Sequence, residues 1–138
     1  MYISTDAIIL KNTPYKESSV ISRLFTYEHG KVSVIFKGAN KSKKNISAII
    51  EPSNIINITY YNNNSSLKNV KEVNLKKVYP NTRKILKNYY YIMAIIALLD
   101  KVCQENHEEK DLFNLLLKIF DDINNQSASD DIIFLYFL

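Results

Sequence analysis

The sequence predicts an α+β protein, with a small five-stranded β-barrel over residues 1–80 followed by a small helical domain of about three helices over residues 81–138. Three observations predict it. Before Pro80, apolar residues alternate or cluster in short runs punctuated by Pro, Gly and Asn, as strands and turns do. After Pro80 they recur every three or four positions, as on a helix. The charge changes at the same place: residues 1–80 carry twelve Lys and Arg against five Asp and Glu, a net of +7, whereas residues 81–138 carry six against nine, a net of −3.

Residues 3–11 read as a first strand with Ala7 to Leu10 buried, although the run Ile8-Ile9-Leu10 leaves its facing open. Pro14 lacks an amide donor and is expected to break the ladder, with Tyr15-Lys16-Glu17 as a connector. Residues 19–27 form a second strand, with Val20, Ile21, Leu24 and Phe25 as core candidates. Glu28-His29-Gly30 then closes a hairpin, because glycine tolerates positive φ. The third strand, Lys31 to Lys37, places Val32, Val34 and Phe36 on one face and Lys31, Ser33, Ile35 and Lys37 on the other, the pattern of an antiparallel sheet with one wet side. Gly38 ends it and opens a loop, Ala39 to Asn45, holding Lys41, Lys43 and Lys44.

Ile46 to Ile50 fits either a short strand or one helical turn, closed by Pro52. Ile55 to Tyr61 alternates, with Ile56, Ile58 and Tyr60 on one face. After the polar turn Asn62 to Ser66, Leu67 to Val78 forms the last strand, with Val73 and Leu75 on one face. Five strands joined by short turns suit a closed or partly closed barrel.

Beyond Pro80, Asn81 or Thr82 can cap a helix. Ile85, Tyr89, Ile92, Ile96 and Leu99 make one apolar row, flanked by Leu86, Tyr90, Met93 and Ala97. A helix this apolar is expected to be buried on several sides. Gln104 to Lys110 reads as a loop. A second helix, Asp111 to Ile123, turns Leu112, Leu115, Leu116, Ile119 and Phe120 inward, and its acidic start suits the helix dipole. Asn124 to Ser129 is a turn, and Asp130 opens a third helix that runs into an apolar C-terminal segment.

Catalysis finds no support in the residues. His29 and His107 lie in a turn and a loop, without carboxylate or cysteine neighbours at a ligand spacing. The two glycines, Gly30 and Gly38, cannot build a phosphate-binding loop. A single cysteine, Cys103, excludes an internal disulfide and a multi-cysteine zinc site within this sequence, and reads as a small buried hydrophobe. Asp121-Asp122 and Asp130-Asp131 read as solvated helix ends. The longest apolar run, Tyr89 to Leu99, is about half of the roughly 20 residues that span a bilayer, so no membrane partner is expected. With no signal peptide evident, the reading is a cytoplasmic protein.

Binding is better supported. Single strands are held by a cationic groove that follows the phosphates and by aromatic faces that stack on bases. Arg23, Lys31, Lys37, Lys41, Lys43 and Lys44 are the candidate phosphate contacts, and Tyr15, Phe25 and Tyr27 the candidate stacking partners. The competing readings are a solvated turn for the lysines and core packing for the aromatics.

Several stretches also resemble a known family. Ala7-Ile8-Ile9-Leu10, Pro14-Tyr15-Lys16-Glu17-Ser18, Leu24 to Val32 (LFTYEHGKV), Lys37-Gly38-Ala39 and Glu51-Pro52 resemble, in order and spacing, the RecO recombination mediators. The resemblance covers the whole chain and is strongest over residues 3–53. It implies an N-terminal OB-fold barrel, a helical domain and a non-enzymatic role in bacterial DNA repair and recombination, in the cytoplasm at the nucleoid. It further implies binding of single- and double-stranded DNA, annealing of complementary strands, and work with RecR to help RecA displace single-strand-binding protein. Many members carry a four-cysteine zinc site beyond the length of this chain; no cysteine cluster exists here, so no cofactor is expected, and the chain looks like a member cut off near the start of its third helix. Two other readings stay open: an adaptor whose main ligand is RecR or another acidic protein, with minor DNA contact, and an RNA-binding barrel.

Overall fold

The computed structural model describes residues 1–39 and 45–125. Its elements run β1 (Tyr2–Tyr15), β2 (Ser19–Thr26), β3 (Gly30–Phe36), α1 (Ile46–Ile49), β4 (Ile55–Tyr61), β5 (Leu67–Lys77), α2 (Pro80–Lys84), α3 (Leu86–Val102) and α4 (Lys110–Asn125). The five strands close into a barrel in the order β1-β2-β3-β5-β4. The expected α+β architecture is therefore present, with four helices among the described residues. The helix expected from Asp130 and the lysines at 41, 43 and 44 lie outside the described residues.

Period-two alternation sorts the strand residues into two cores. Ala7 and Ile9 of β1, Val20 and Leu24 of β2, Val32, Val34 and Phe36 of β3, and Ile56, Ile58 and Tyr60 of β4 fill the barrel. Their neighbours Ile8, Leu10, Phe25 and Ile55 point outward, yet they are equally buried, because α3 and α4 cover them with Ile92, Ile95, Ile96, Leu99, Phe113, Leu116, Ile119, Phe120 and Ile123. The uninterrupted run Ala7–Leu10 is thus explained: a strand buried on both faces needs no polar alternation.

β1 is longer than Pro14 suggested. Pro14 pairs with Val20 and Tyr15 with Ser19. This end of β1 has β2 as its ladder partner while β4 pairs with residues 2–8, and an edge position tolerates a missing donor. The β2–β3 hairpin closes at Gly30 (φ 66), braced by the buried Thr26, whose Oγ1 donates to the Gly30 carbonyl at 2.8 Å and accepts from the His29 amide at 3.0 Å. Ile21, a core candidate, is half-buried because it shares the outward parity of Arg23. Ile46–Ile49 takes the helical alternative.

β5 carries two irregularities. Its register against β4 shifts between Thr59 and Tyr60 and again between Ile55 and Ile56, leaving Lys71 and Lys76 as the extra residues. Each insertion resets the parity, so Val70, Val73 and Leu75 all stand opposite inward residues of β4. Leu75 nevertheless stays half-exposed at the strand's far end.

The helical reading needs four corrections. Tyr79, not Asn81 or Thr82, is the N-cap residue of α2, with Pro80 in the first turn, and the Thr82 hydroxyl instead donates to the Tyr79 carbonyl at 2.5 Å. The single helix expected after a cap at Asn81 or Thr82 is instead split into α2 and α3, because Ile85 is extended (φ −104, ψ 112). α3 buries one stripe, Asn88, Ile92, Ile95, Ile96 and Leu99, while Leu86 and Tyr90 are 64% and 62% exposed, so it is not covered on several sides. In α4, Phe113 takes the inward place and Leu115 faces out.

Candidate nucleic-acid interface

The six predicted cations divide three ways. Arg23 on β2 and Lys31 on β3 come together, but beneath the C-terminal end of α3. Arg23 donates from Nη2 to Asp100 Oδ2 at 2.7 Å, and Lys31 Nζ donates to the Asp100 main-chain carbonyl at 2.8 Å. The following loop runs along the free edge of β3, where the Asn106 amide donates to the Lys31 carbonyl at 3.1 Å. Lys37, six residues on and of the same parity, is exposed and has no carboxylate partner among the described residues. Lys41, Lys43 and Lys44 lie outside the described residues. The continuous lysine face expected for the third strand is therefore corrected to a covered end and an open end.

The predicted aromatics also separate. Phe25 is fully buried, 5.8 Å from the Phe113 ring, so it cannot stack on a base. Tyr27 meets the same Phe113 edge-on at 5.4 Å, with Lys110 Nζ 5.4 Å from its centroid. Tyr15 is exposed at the β1–β2 hairpin tip, with Lys16 Nζ 5.3 Å from its ring. That tip neighbours the open end of β3, since Tyr15 pairs with Ser19 while Val20 pairs with Phe36.

The open end borders a cleft, and the strand pairing explains it. β3 and β5 run parallel and pair through three residues each, Ser33–Ile35 with Leu67–Asn69. Past this short seam they diverge, and α1 packs Ile46 and Ile49 toward the gap. The result is a cleft of about 620 Å³ with Lys37 on one wall, Lys71 on the other, an apolar floor that includes Phe36, Val70 and Val73, and the amide side chains of Asn69 and Asn74. Glu72 is the single carboxylate in the lining among the described residues. Three other barrel cations are engaged: Lys76 with Asp6, Lys77 with Asp121, and Lys68 with the Asn63 carbonyl. The alternation of its strand does not single out Lys71, because the irregularity that it forms is set by long-range pairing; a lysine within an apolar-poor strand is the available signal.

Burial governs the remaining titratable chemistry. Cys103 packs against the outer core, and burial, aided by Glu109, pushes its thiol up, with Lys31 opposing. Burial and then Asp121 push the Tyr79 hydroxyl up; that hydroxyl is sequestered without a hydrogen-bond partner among the described residues. Neither group is poised for nucleophilic work at neutral pH. His107 Nε2 lies 3.7 Å from Glu109 on the surface. Among the described residues no group of three or more His, Cys, Asp and Glu could hold a metal ion, and no helix is long and apolar enough to cross a membrane.

Comparison with known proteins points one way. The family model described as "Recombination protein O N terminal" matches residues 1–79, and that described as "Recombination protein O C terminal" matches residues 83–138. The chain is 30% identical to the DNA repair protein RecO of Bacillus pumilus over 98% of its own length and 52% of that protein. It is 29% identical to that of Alkaliphilus metalliredigens over 84% and 47%, and 27% identical to that of Salinibacter ruber over 91% and 49%. The chain spans about half the length of the curated relatives it matches.

Proposed function

The chain belongs to the RecO family of DNA repair proteins, and on that premise we propose that it binds DNA across the open seam of its barrel and acts, without catalysis, as a recombination mediator. In this reading it holds single- and double-stranded DNA, brings complementary strands together, and works with RecR to load RecA onto DNA coated by single-strand-binding protein. The observation that carries the reading is the cleft between β3 and β5, which Lys37 and Lys71 both line, neither with a carboxylate partner among the described residues. A cationic trough with an apolar floor and amide-bearing walls suits a phosphodiester strand better than a small metabolite.

Phosphate contacts release counterions, so the logarithm of affinity for single-stranded DNA is expected to fall steeply and linearly with the logarithm of salt concentration. Replacing Lys37, Lys41, Lys43 and Lys44 together with alanine flattens that slope. An unchanged slope in the quadruple variant overturns the assignment of these residues.

One observation favours a second reading, an adaptor that binds mainly RecR. Two of the six candidate cations, Arg23 and Lys31, are held by Asp100 and its carbonyl, which thins the positive surface. Capture of RecR at salt concentrations that abolish DNA binding, together with weak DNA affinity at low salt, supports the adaptor.

A further inference from the structure

Beyond the Ile8–Ile55 row that the helices cover, the outward side of the β1–β4 pair is polar except at its far end. Its cross-strand rows read Asp6–Asn57, Ser4–Thr59 and Tyr2–Tyr61. In the first row the Asn57 amide donates to Asp6 at 3.0 Å, and in the second the two hydroxyls share a hydrogen bond of 2.6 Å. The third row is two tyrosines, 53% and 44% exposed, with ring centroids 5.5 Å apart and planes at 73°. Lys71 Nζ stands 4.3 Å from the Tyr2 ring centroid. The same Lys71 lines the cleft, so the aromatic pair and the cationic trough are contiguous through one side chain.

We propose that Tyr2 and Tyr61 form a base-stacking platform for single-stranded nucleic acid, with Lys71 holding the phosphate next to the stacked base. The proposal rests on the reading of the cleft as a DNA path and names where that path leaves it. The physical case is economy of function on an exposed row. A solvated sheet face is served by the Ser, Thr, Asn and Asp of the two preceding rows, whereas two half-exposed rings leave apolar area in water at a point where a cation already sits. Aromatic faces accept any base, because every base has a π-face, and a neighbouring lysine adds the charge that the backbone requires. A cross-strand aromatic pair also stabilises strand ends, so the test must read more than stability.

The experiment compares the whole chain with the double variant Tyr2→Ala/Tyr61→Ala and the double variant Tyr2→Phe/Tyr61→Phe, each titrated with oligothymidylate and with an abasic strand of equal length. Wild-type protein is expected to prefer the strand with bases by about tenfold or more. The alanine pair loses that preference while retaining the salt dependence seen with the abasic strand, and the phenylalanine pair keeps the preference. Thermal unfolding of each variant identifies loss of fold, and if the alanine pair does not fold, the single variant Tyr61→Ala is expected to lower the preference alone. A wild type that binds both strands equally, or alanine variants that keep the full preference, overturns the platform while leaving the cationic cleft standing. A wild type that binds neither strand overturns both the platform and the DNA reading beneath it.

Discussion

At its first residues β3 presents Gly30 and Lys31; just past its last it presents Lys37 and Gly38. Both glycines hold positive φ, 66 and 67, and both lysines point away from the barrel interior. Their surroundings differ completely. A Cβ on Gly30 would collide with the main chain of His107, while one on Gly38 would meet nothing within 4 Å. Lys31 is tied to the end of α3, and Lys37 faces the cleft. The contrast teaches that strand parity determines which side a lysine leaves from, but what packs there determines whether it serves the fold or a ligand.

The most damaging single change should be at the covered end's keystone. Phe113 anchors both Phe25 and Tyr27, and Phe113→Ala is expected to lose about 3–5 kcal/mol in denaturant unfolding. A much smaller loss would mean that the helices hold the barrel by other contacts. The glycine pair comes next. Gly30→Ala combines a left-handed conformation with a main-chain collision and is expected to cost more than about 2 kcal/mol, whereas Gly38→Ala bears the conformational term alone, about 1 kcal/mol. Equal costs would erase the difference between the two ends.

The lysines sharpen the comparison through a different readout. Lys37→Ala with Lys71→Ala is expected to reduce the salt slope of single-strand binding by about 1.4, from about 0.7 per phosphate contact, and to leave the unfolding midpoint in place. Arg23→Ala is expected to do the reverse, costing up to about 1 kcal/mol of stability because the Arg23–Asp100 pair is partly exposed, with the slope unchanged. The smallest effect is with pH. The Tyr79 hydroxyl and the Cys103 thiol are both raised by burial above their ordinary 10.0 and 9.0. The unfolded chain therefore releases those protons first, so stability is full below the ordinary values and falls as pH climbs through them. A flat alkaline limb in denaturant titrations would contradict the burial of both groups.

Much of the barrel was legible in the sequence because its signals are local. The Glu28–Gly30 turn, the alternation of Val32, Val34 and Phe36, and that of Ile56, Ile58 and Tyr60 each depend on neighbours a few residues away. What was not legible depends on distant partners. Arg23 and Asp100 are 77 residues apart, and Lys31 and the Asp100 carbonyl 69; no periodicity within a strand reveals that a helix end will engage its cations. Phe25 looked available for stacking for the same reason. Tyr2 and Tyr61 are each ordinary strand residues alone and gain meaning only from the β1–β4 register. The lysine run 41–44 was conspicuous as composition and lies outside the described residues, so its place in the site rests on the salt experiment.

The three-residue seam between β3 and β5 has a kinetic corollary. Every other strand contact in the barrel is antiparallel and longer, and β1 with β2, β2 with β3, and β4 with β5 join neighbours in sequence. The seam joins segments more than thirty residues apart through the fewest ladder bonds, and such non-local, parallel closures bear their loop entropy before any contact rewards it. The cylinder is thus expected to shut last during folding and to breathe first once formed, with amide protons near Ile35 and Asn69 exchanging with deuterium ahead of those along β1 and β2.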